Sequence, residues 1–271
     1  MRFILANLTQ KIQRRLGRLY AQRHYYWHKI FPNKAPVHNL AYLPDGFSVT
    51  KAGQTGVSIM DNFCTPEEAQ AIIEFSRDKI SPAGVLVDGE FVPHERRRCD
   101  TGAVFGPGIV NQELLPIALR ASAVTGVPYT HIEGVYVTRY PEGGLYDEHL
   151  DFGDHFKVDR LYTLLLYLNT VPPEQGGSTV FPQLNIKVQP RAGRAVCWTN
   201  KNPDGSHHNE TSHAALPVEA GGEKWSVQFW FHPHKMFDPI NIEAPQIKTG
   251  IPLGEDAVLP DGASRYVREE S

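Results

Sequence analysis

The run Tyr162-Thr-Leu-Leu-Leu-Tyr-Leu-Asn169 decides the fold. In an extended chain alternate side chains share a face, so Thr163, Leu165 and Tyr167 form one lining of mixed apolar and hydroxyl character. Similar short runs flank it: Ile132 to Tyr140, Arg160 to Asn169, Ser178 to Pro182, Asn185 to Gln189, Arg194 to Thr199 and Lys224 to His232. They are rich in Val, Tyr, Phe, Thr and Trp and are broken by Gly, Pro and Asn, as strands of a sandwich or jelly roll are. Upstream the pattern is helical. Thr65-Pro-Glu-Glu68 is a capping box with Pro at the first helical position, opening a helix to about Lys79 with Ala69, Ile72, Ile73 and Phe75 inward. Asn111 is expected to cap a second helix from Gln112 to about Thr125, with Leu114, Leu115, Ile117, Ala118 and Ala121 inward. Helices first and strands later give an α+β, mainly β fold: a double-stranded β-helix (jelly-roll) core buttressed by N-terminal helices.

Three segments follow: 1–56, a basic amphipathic helix and connector; 57–235, the folded domain (helical support 57–130, jelly-roll core 131–235); and 236–271, a Pro-containing tail. Residues 90–105 are expected to be extended and to carry Arg96, Arg97 and Arg98. The first 44 residues hold eight Lys or Arg and no Asp or Glu. Phe3, Ile4, Leu8, Ile12, Leu16 and Leu19 recur at helical spacing over about 3–26, so this helix is read as docked on its own acidic domain or as contacting a membrane surface or partner, with a cleaved targeting peptide the weaker alternative because its apolar stretch is short and interrupted. The composition, 41% hydrophobic and 21% charged, is that of a soluble globular protein. With a net charge of only -3 the chain is not expected to bind nucleic acid. No apolar run approaches the roughly 20 residues that cross a bilayer. Cys64, Cys99 and Cys197 are odd in number and widely spaced, which argues against a disulfide framework and for a reducing, cytoplasmic setting.

The chemistry lies in Tyr140-Pro-Glu-Gly-Gly-Leu-Tyr-Asp-Glu-His149-Leu-Asp151, followed by His213 and Lys224. His149 and Asp151, two apart on a strand, share a face, and His213 comes from a later strand. Two imidazoles and one carboxylate can occupy one face of an octahedral metal and leave three positions open, the pattern of non-heme Fe(II) oxygenases. A structural zinc site would use four ligands, typically cysteine-rich, and no Cys pair has that spacing. An H-x-D pair is cheap among 12 histidines, so its setting carries the weight. His24, His28, His38, His94, His131, His232 and His234 are read as packed or surface residues, and His207 and His208 as non-ligands at the pocket edge. His155 and Arg160 follow the metal pair and are candidates to face substrate, as is one arginine of Arg96 to Arg98.

These motifs, in this order, resemble the catalytic domain of the prolyl 4-hydroxylase-like Fe(II)- and 2-oxoglutarate-dependent dioxygenases. The resemblance covers roughly residues 57–233 and is sharpest over 132–233: Tyr140, His149-Leu-Asp151, Tyr167-Leu-Asn169, Gly176-Gly-Ser-Thr-Val-Phe181, Pro190-Arg-Ala-Gly193, His213-Ala-Ala-Leu-Pro-Val218 and Lys224-Trp225. It implies Fe(II) on His149, Asp151 and His213. It also implies that Lys224 and Tyr140 hold the distal carboxylate of 2-oxoglutarate, with Thr163 and Tyr167 as further cosubstrate contacts. O2 is the oxidant and ascorbate an accessory reductant. His213 and Lys224 stand eleven residues apart, one more than usual in the family, and the turn at Gly221-Gly222 is expected to absorb the extra residue. Leu216 replaces a frequent Cys.

The implied reaction hydroxylates an unactivated C–H bond while 2-oxoglutarate becomes succinate and CO2. Asp151 fills the position that halogenases leave small, which favours hydroxylation over halogenation, with desaturation and ring formation open. The substrate is a prolyl residue in a peptide or protein, or else a free amino acid or small biosynthetic intermediate. The remote alternative is a non-catalytic metal-binding jelly-roll module.

Overall fold

The computed structural model describes residues 47–87, 90–105, 114–152, 160–202 and 204–236, the side chains of residues 85–87, 90, 91 and 93 excepted. The amphipathic helix, Asn111, Gln112, His155 and the tail beyond residue 236 lie outside the described residues.

In chain order the elements are β1 (Ser48–Lys51), β2 (Val57–Asp61), α1 (Pro66–Ser76), β3 (Ser81–Pro82), β4 (Gly84–Val87), β5 (Glu90–Pro93), β6 (Arg97–Arg98) and β7 (Asp100–Phe105). Then come α2 (Leu115–Thr125), β8 (Ile132–Tyr140), β9 (Leu145–His149), β10 (Tyr162–Tyr167), β11 (Thr179–Phe181), β12 (Ile186–Val188), β13 (Ala195–Thr199), β14 (His213–Ala215) and β15 (Lys224–Phe231). An eight-stranded sheet runs β1-β2-β13-β10-β15-β8-β7-β3, and a five-stranded sheet runs β12-β11-β14-β9-β6. Strands β4 and β5 form a separate hairpin. Strand pairing within both sheets is antiparallel. This is the expected jelly-roll core.

Strand β10, central in the large sheet, shows how the layers are held. Leu164 and Leu166 join the main cluster together with Ile72 of α1 and Ile117, Ala118 and Ala121 of α2. Leu165 and Tyr167, on the opposite face, join Val196 and Trp198 of β13 and Phe181 and Val188 of the smaller sheet. Every β10 residue is therefore buried, the helices lying on one side and the second sheet on the other. Each fully buried Leu or Phe contributes about 1.5–3 kcal/mol.

The helices are fixed by charge as well as by packing. The capping box of α1 forms as expected: Glu68 N–H donates to Thr65 Oγ1 at 3.2 Å, and Thr65 N–H donates to Glu68 Oε2 at 2.9 Å. The Glu68 carboxylate also takes both arms of the buried Arg120 guanidinium from α2, at 2.7 and 2.8 Å.

Three expectations are corrected. Helix α1 ends at Ser76 rather than about Lys79. Helix α2 begins at Leu115 behind Leu114, whose side chain makes no cap, with Pro116 in its first turn. Residues 48–56, expected as connector, form β1 and the turn into β2 and extend the large sheet. Gly53 and Gly56, which look like linker punctuation, both adopt positive φ in that turn.

Candidate active site

The metal candidates meet where β9 and β14 end together. His149 closes β9 and His213 opens β14, and the two residues are direct partners in the ladder. A β-bulge between His213 and Ala215 follows. The ring centroids of the two histidines stand 4.4 Å apart. Asp151 is not on the strand with His149, as expected, but in the bend two residues on, where it is buried. The candidate ligand atoms of the three residues all lie within 4.8 Å of one another.

Backbone carbonyls set the tautomers. His149 Nδ1–H donates to Asp147 O at 2.8 Å, and His213 Nδ1–H donates to Thr211 O at 3.0 Å, which leaves both Nε2 lone pairs free. Each Nε2 stands 3.9 Å from an Asp151 carboxylate oxygen, too far for a hydrogen bond. Burial and the neighbouring His213 hold His149 far below the ordinary imidazole range, in the neutral form a metal needs. Burial opposes ionisation of Asp151, but His213, His149, Arg160 and the Thr163 hydroxyl outweigh it and keep its carboxyl below the usual range. Two imidazoles and a carboxylate are the donor set of a divalent transition metal, so the residues fit iron.

Asp151 is itself held. Thr163 Oγ1–H donates to its Oδ2 at 2.6 Å, and Asn200 Nδ2 donates to Thr163 Oγ1 at 3.0 Å. Arg160 Nη1 donates to the Asp151 carbonyl at 3.2 Å while its Nε and Nη2 grip Glu133. Burial disfavours the Glu133 charge, yet His232 and Arg160 pull the carboxyl down to about 2. The Thr163 hydroxyl is thus committed to Asp151 rather than free for a cosubstrate. Asn200 and Glu133 were not legible as site residues, because an Asn at a strand end reads as a turn signal and a lone Glu as surface.

Lys224 lies on the facing wall. It opens β15 opposite Tyr140, the last residue of β8. The extra residue before it is taken up in a turn where Gly221 adopts φ +76° and Gly222 N–H donates to Glu219 O. Lys224 is 1% exposed, and its one polar contact among the described residues is a long 3.4 Å one to Thr179 Oγ1. Its Nζ lies 4.8 Å from the Tyr140 ring centre and 5.5 Å from that of Tyr167. Among the described residues no carboxylate pairs with it, and burial pulls the ammonium down to about 7. The Tyr167 hydroxyl is buried beside Thr179 with no well-formed hydrogen bond among the described residues. A buried ammonium beside a hydroxyl with a bond to spare is a site suited to an anion.

The remaining candidates fall outside this shell. His207 packs on Phe152 at 4.3 Å between ring centres, and His208 Nδ1 contacts Thr199 O at 3.2 Å. Arg96 pairs with Asp147 at the surface, and Arg98 is exposed. Tyr146, inside the metal motif but assigned no role from sequence, stacks on His149 at 3.7 Å. Its position three residues before His149 was the available signal.

Residues 135–232 match the model of the 2OG-Fe(II) oxygenase superfamily. The chain is 38% identical over 125 residues to prolyl 4-hydroxylase subunit alpha-1 of Gallus gallus, covering 43% of this chain and 24% of that protein. It is 30% identical over 192 residues to probable prolyl 4-hydroxylase 9 of Arabidopsis thaliana, covering 62% and 66%. The chain thus spans about a quarter of the length of the alpha-1 subunits it matches. The solved viral collagen prolyl hydroxylase of Paramecium Bursaria Chlorella virus-1, a 2OG complex, superposes with a TM-score of 0.51 at 26% identity, covering 65% of this chain and 94% of that one. Over residues 135–232 the chain thus resembles the 2OG-Fe(II) oxygenases, a family whose cofactors are Fe(II), 2-oxoglutarate and O2. Within them it is prolyl 4-hydroxylase-like.

Proposed function

We propose that this chain is an Fe(II)- and 2-oxoglutarate-dependent dioxygenase that hydroxylates an unactivated C–H bond of a prolyl residue. The observation that carries the reading is Lys224, a buried cation with no counter-ion among the described residues, on the wall facing three convergent metal donors. A dianion with one end on a metal needs a fixed positive charge at its other end, and Lys supplies a point charge. His149, Asp151 and His213 would hold the iron. Lys224 would take the distal carboxylate of 2-oxoglutarate, with the Tyr167 hydroxyl as an added donor and the Tyr140 ring as one wall.

Iron and 2-oxoglutarate bound together supply the oxidation, in which one oxygen atom of O2 enters succinate, the other enters the product hydroxyl, and CO2 leaves. The chain's own work is positional. The Thr211 and Asp147 carbonyls keep each imidazole proton on Nδ1. Thr163 holds Asp151 as an anion, and Leu165, Phe181 and Trp198 pack behind the site and exclude water. Peptide or protein prolines are the favoured substrates because the named relatives are prolyl hydroxylases.

The test is succinate formation from 2-oxoglutarate by Fe(II)-loaded protein, with and without proline-containing peptides, and mass spectrometry of the peptide. Stimulated turnover with one added oxygen on proline is the expected result. Absence of succinate in every mixture contradicts the dioxygenase reading.

A further inference from the structure

We propose that Arg97 binds the substrate, and that the substrate presents it with a carboxylate beside the C–H bond under attack. The inference rests on the dioxygenase reading above and names the substrate chemistry for the same site.

Arg97 differs from the other arginines that approach the core. Arg96, Arg120, Arg139, Arg160 and Arg194 each pair with a carboxylate. Arg97 is half-buried and pairs with none among the described residues. It is nevertheless firmly placed. Strand β6 sets it opposite Tyr146 of β9, its guanidinium carbon lies 4.7 Å over the Tyr146 ring, and Nη1 donates to Gly84 O at 3.3 Å. Its Nε is buried with no partner. Because Tyr146 stacks in turn on His149 at 3.7 Å, the guanidinium lies one aromatic layer from a candidate metal ligand.

Arg97 and Lys224 lie around the same two side chains, Cys99 and Tyr140. The charges of both act on Cys99, and Tyr140, whose ring carries Lys224 at 4.8 Å, also feels Arg97. The two sheets therefore offer two cations with no carboxylate partner among the described residues, Lys224 deep on the large sheet and Arg97 beside the metal pair on the small one. The distal carboxylate of 2-oxoglutarate answers the first. A partly desolvated guanidinium with unused donors is matched by a second planar carboxylate, which it binds better than a neutral peptide carbonyl. The carboxylate can belong to a free amino acid, a C-terminal residue or an acidic side chain beside the target.

The test compares wild type with Arg97→Gln and Arg97→Lys on four probes: L-proline, a prolyl peptide with a free C-terminus, the same peptide amidated, and a peptide with Glu next to an internal Pro. A carboxylate-bearing probe should stimulate turnover, and its KM should rise about 10- to 100-fold in Arg97→Gln, partly restored in Arg97→Lys, while the KM for 2-oxoglutarate does not move. Equal use of the amidated peptide, or a shift in the 2-oxoglutarate KM instead, overturns the proposal. A second readout needs no turnover. In a Lys224→Met background, where only Arg97 answers, acetate should raise the denaturation midpoint of metal-free protein, and adding Arg97→Gln should abolish that rise. No Arg97-dependent rise counts against the proposal, whereas loss of wild-type succinate formation would sink the dioxygenase reading and leave the acetate result standing.

Discussion

The two walls of the pocket are built on opposite principles. On the metal wall each candidate ligand is braced: a carbonyl fixes each imidazole proton, and Thr163, Asn200 and Arg160 secure Asp151. On the facing wall the Lys224 ammonium and the Tyr167 hydroxyl are buried with bonds unmade among the described residues, and Arg97 at the edge of the metal sheet is half-buried in the same condition. The first wall has its hydrogen bonds in place before any ligand arrives, as accurate metal geometry requires. The second carries an uncompensated desolvation cost that only anions relieve. Preorganisation therefore belongs to the metal, and differential stabilisation to the cosubstrate and substrate.

The largest expected effect comes from breaking the braced wall at its ligands. His149→Ala or His213→Ala should abolish both Mn(II) binding by calorimetry and 2-oxoglutarate turnover. Undiminished turnover in either variant would remove that residue from the ligand set.

Next is Lys224. Lys224→Met should raise the 2-oxoglutarate requirement by roughly 100-fold or more, as loss of one partner of a buried charge pair does, with metal affinity intact. The same variant should be more stable than wild type without ligand, because it removes an unpaired buried charge. The pH dependence has a definite sign. Burial lowers the folded-state Lys224 to about 7 from its ordinary 10.5, so between those values the unfolded chain binds more protons. Wild-type stability relative to Lys224→Met should therefore rise with pH from about 7 towards 10.5. Bound 2-oxoglutarate favours the ammonium, so its binding at pH 8 should take up a proton, read as a buffer-dependent heat. A buffer-independent heat would show that another group meets the carboxylate.

Smaller still is the brace itself. Thr163→Val should weaken metal affinity about 10- to 100-fold, with Thr163→Ser restoring most of it. A raised KM for 2-oxoglutarate at saturating metal would instead return Thr163 to the cosubstrate. The smallest effect on catalysis should come from Glu68→Gln. It removes the carboxylate that grips the buried Arg120 guanidinium between the helices, costs about 3–5 kcal/mol of stability in denaturant unfolding, and leaves the two walls untouched.

The sequence exposed the two walls unequally. Alternation in Ile132 to Tyr140 and in Lys224 to His232 is strong enough to place β8 and β15, and their register alone brings Tyr140 to Lys224. The capping box likewise announces α1. Asp151 was placed on a strand because the i, i+2 rule assumes the strand continues, whereas β9 stops at His149 and a bend turns the carboxylate inward. In Arg96-Arg97-Arg98 alternation separates Arg97 from its neighbours but does not say which face is inward; the pairing of β6 with β9 decides that. Asn200 was hidden because its role depends on a contact with Thr163, 37 residues away in the chain.

The most direct test of the two-wall account is calorimetric titration of 2-oxoglutarate into Mn(II)-loaded wild type and Lys224→Met, beside the denaturation midpoints of both metal-free proteins. The account predicts tight binding to wild type and binding weaker by about 100-fold to the variant, which is nevertheless the more stable protein without ligand. Equal affinities, or a variant less stable than wild type, would contradict it.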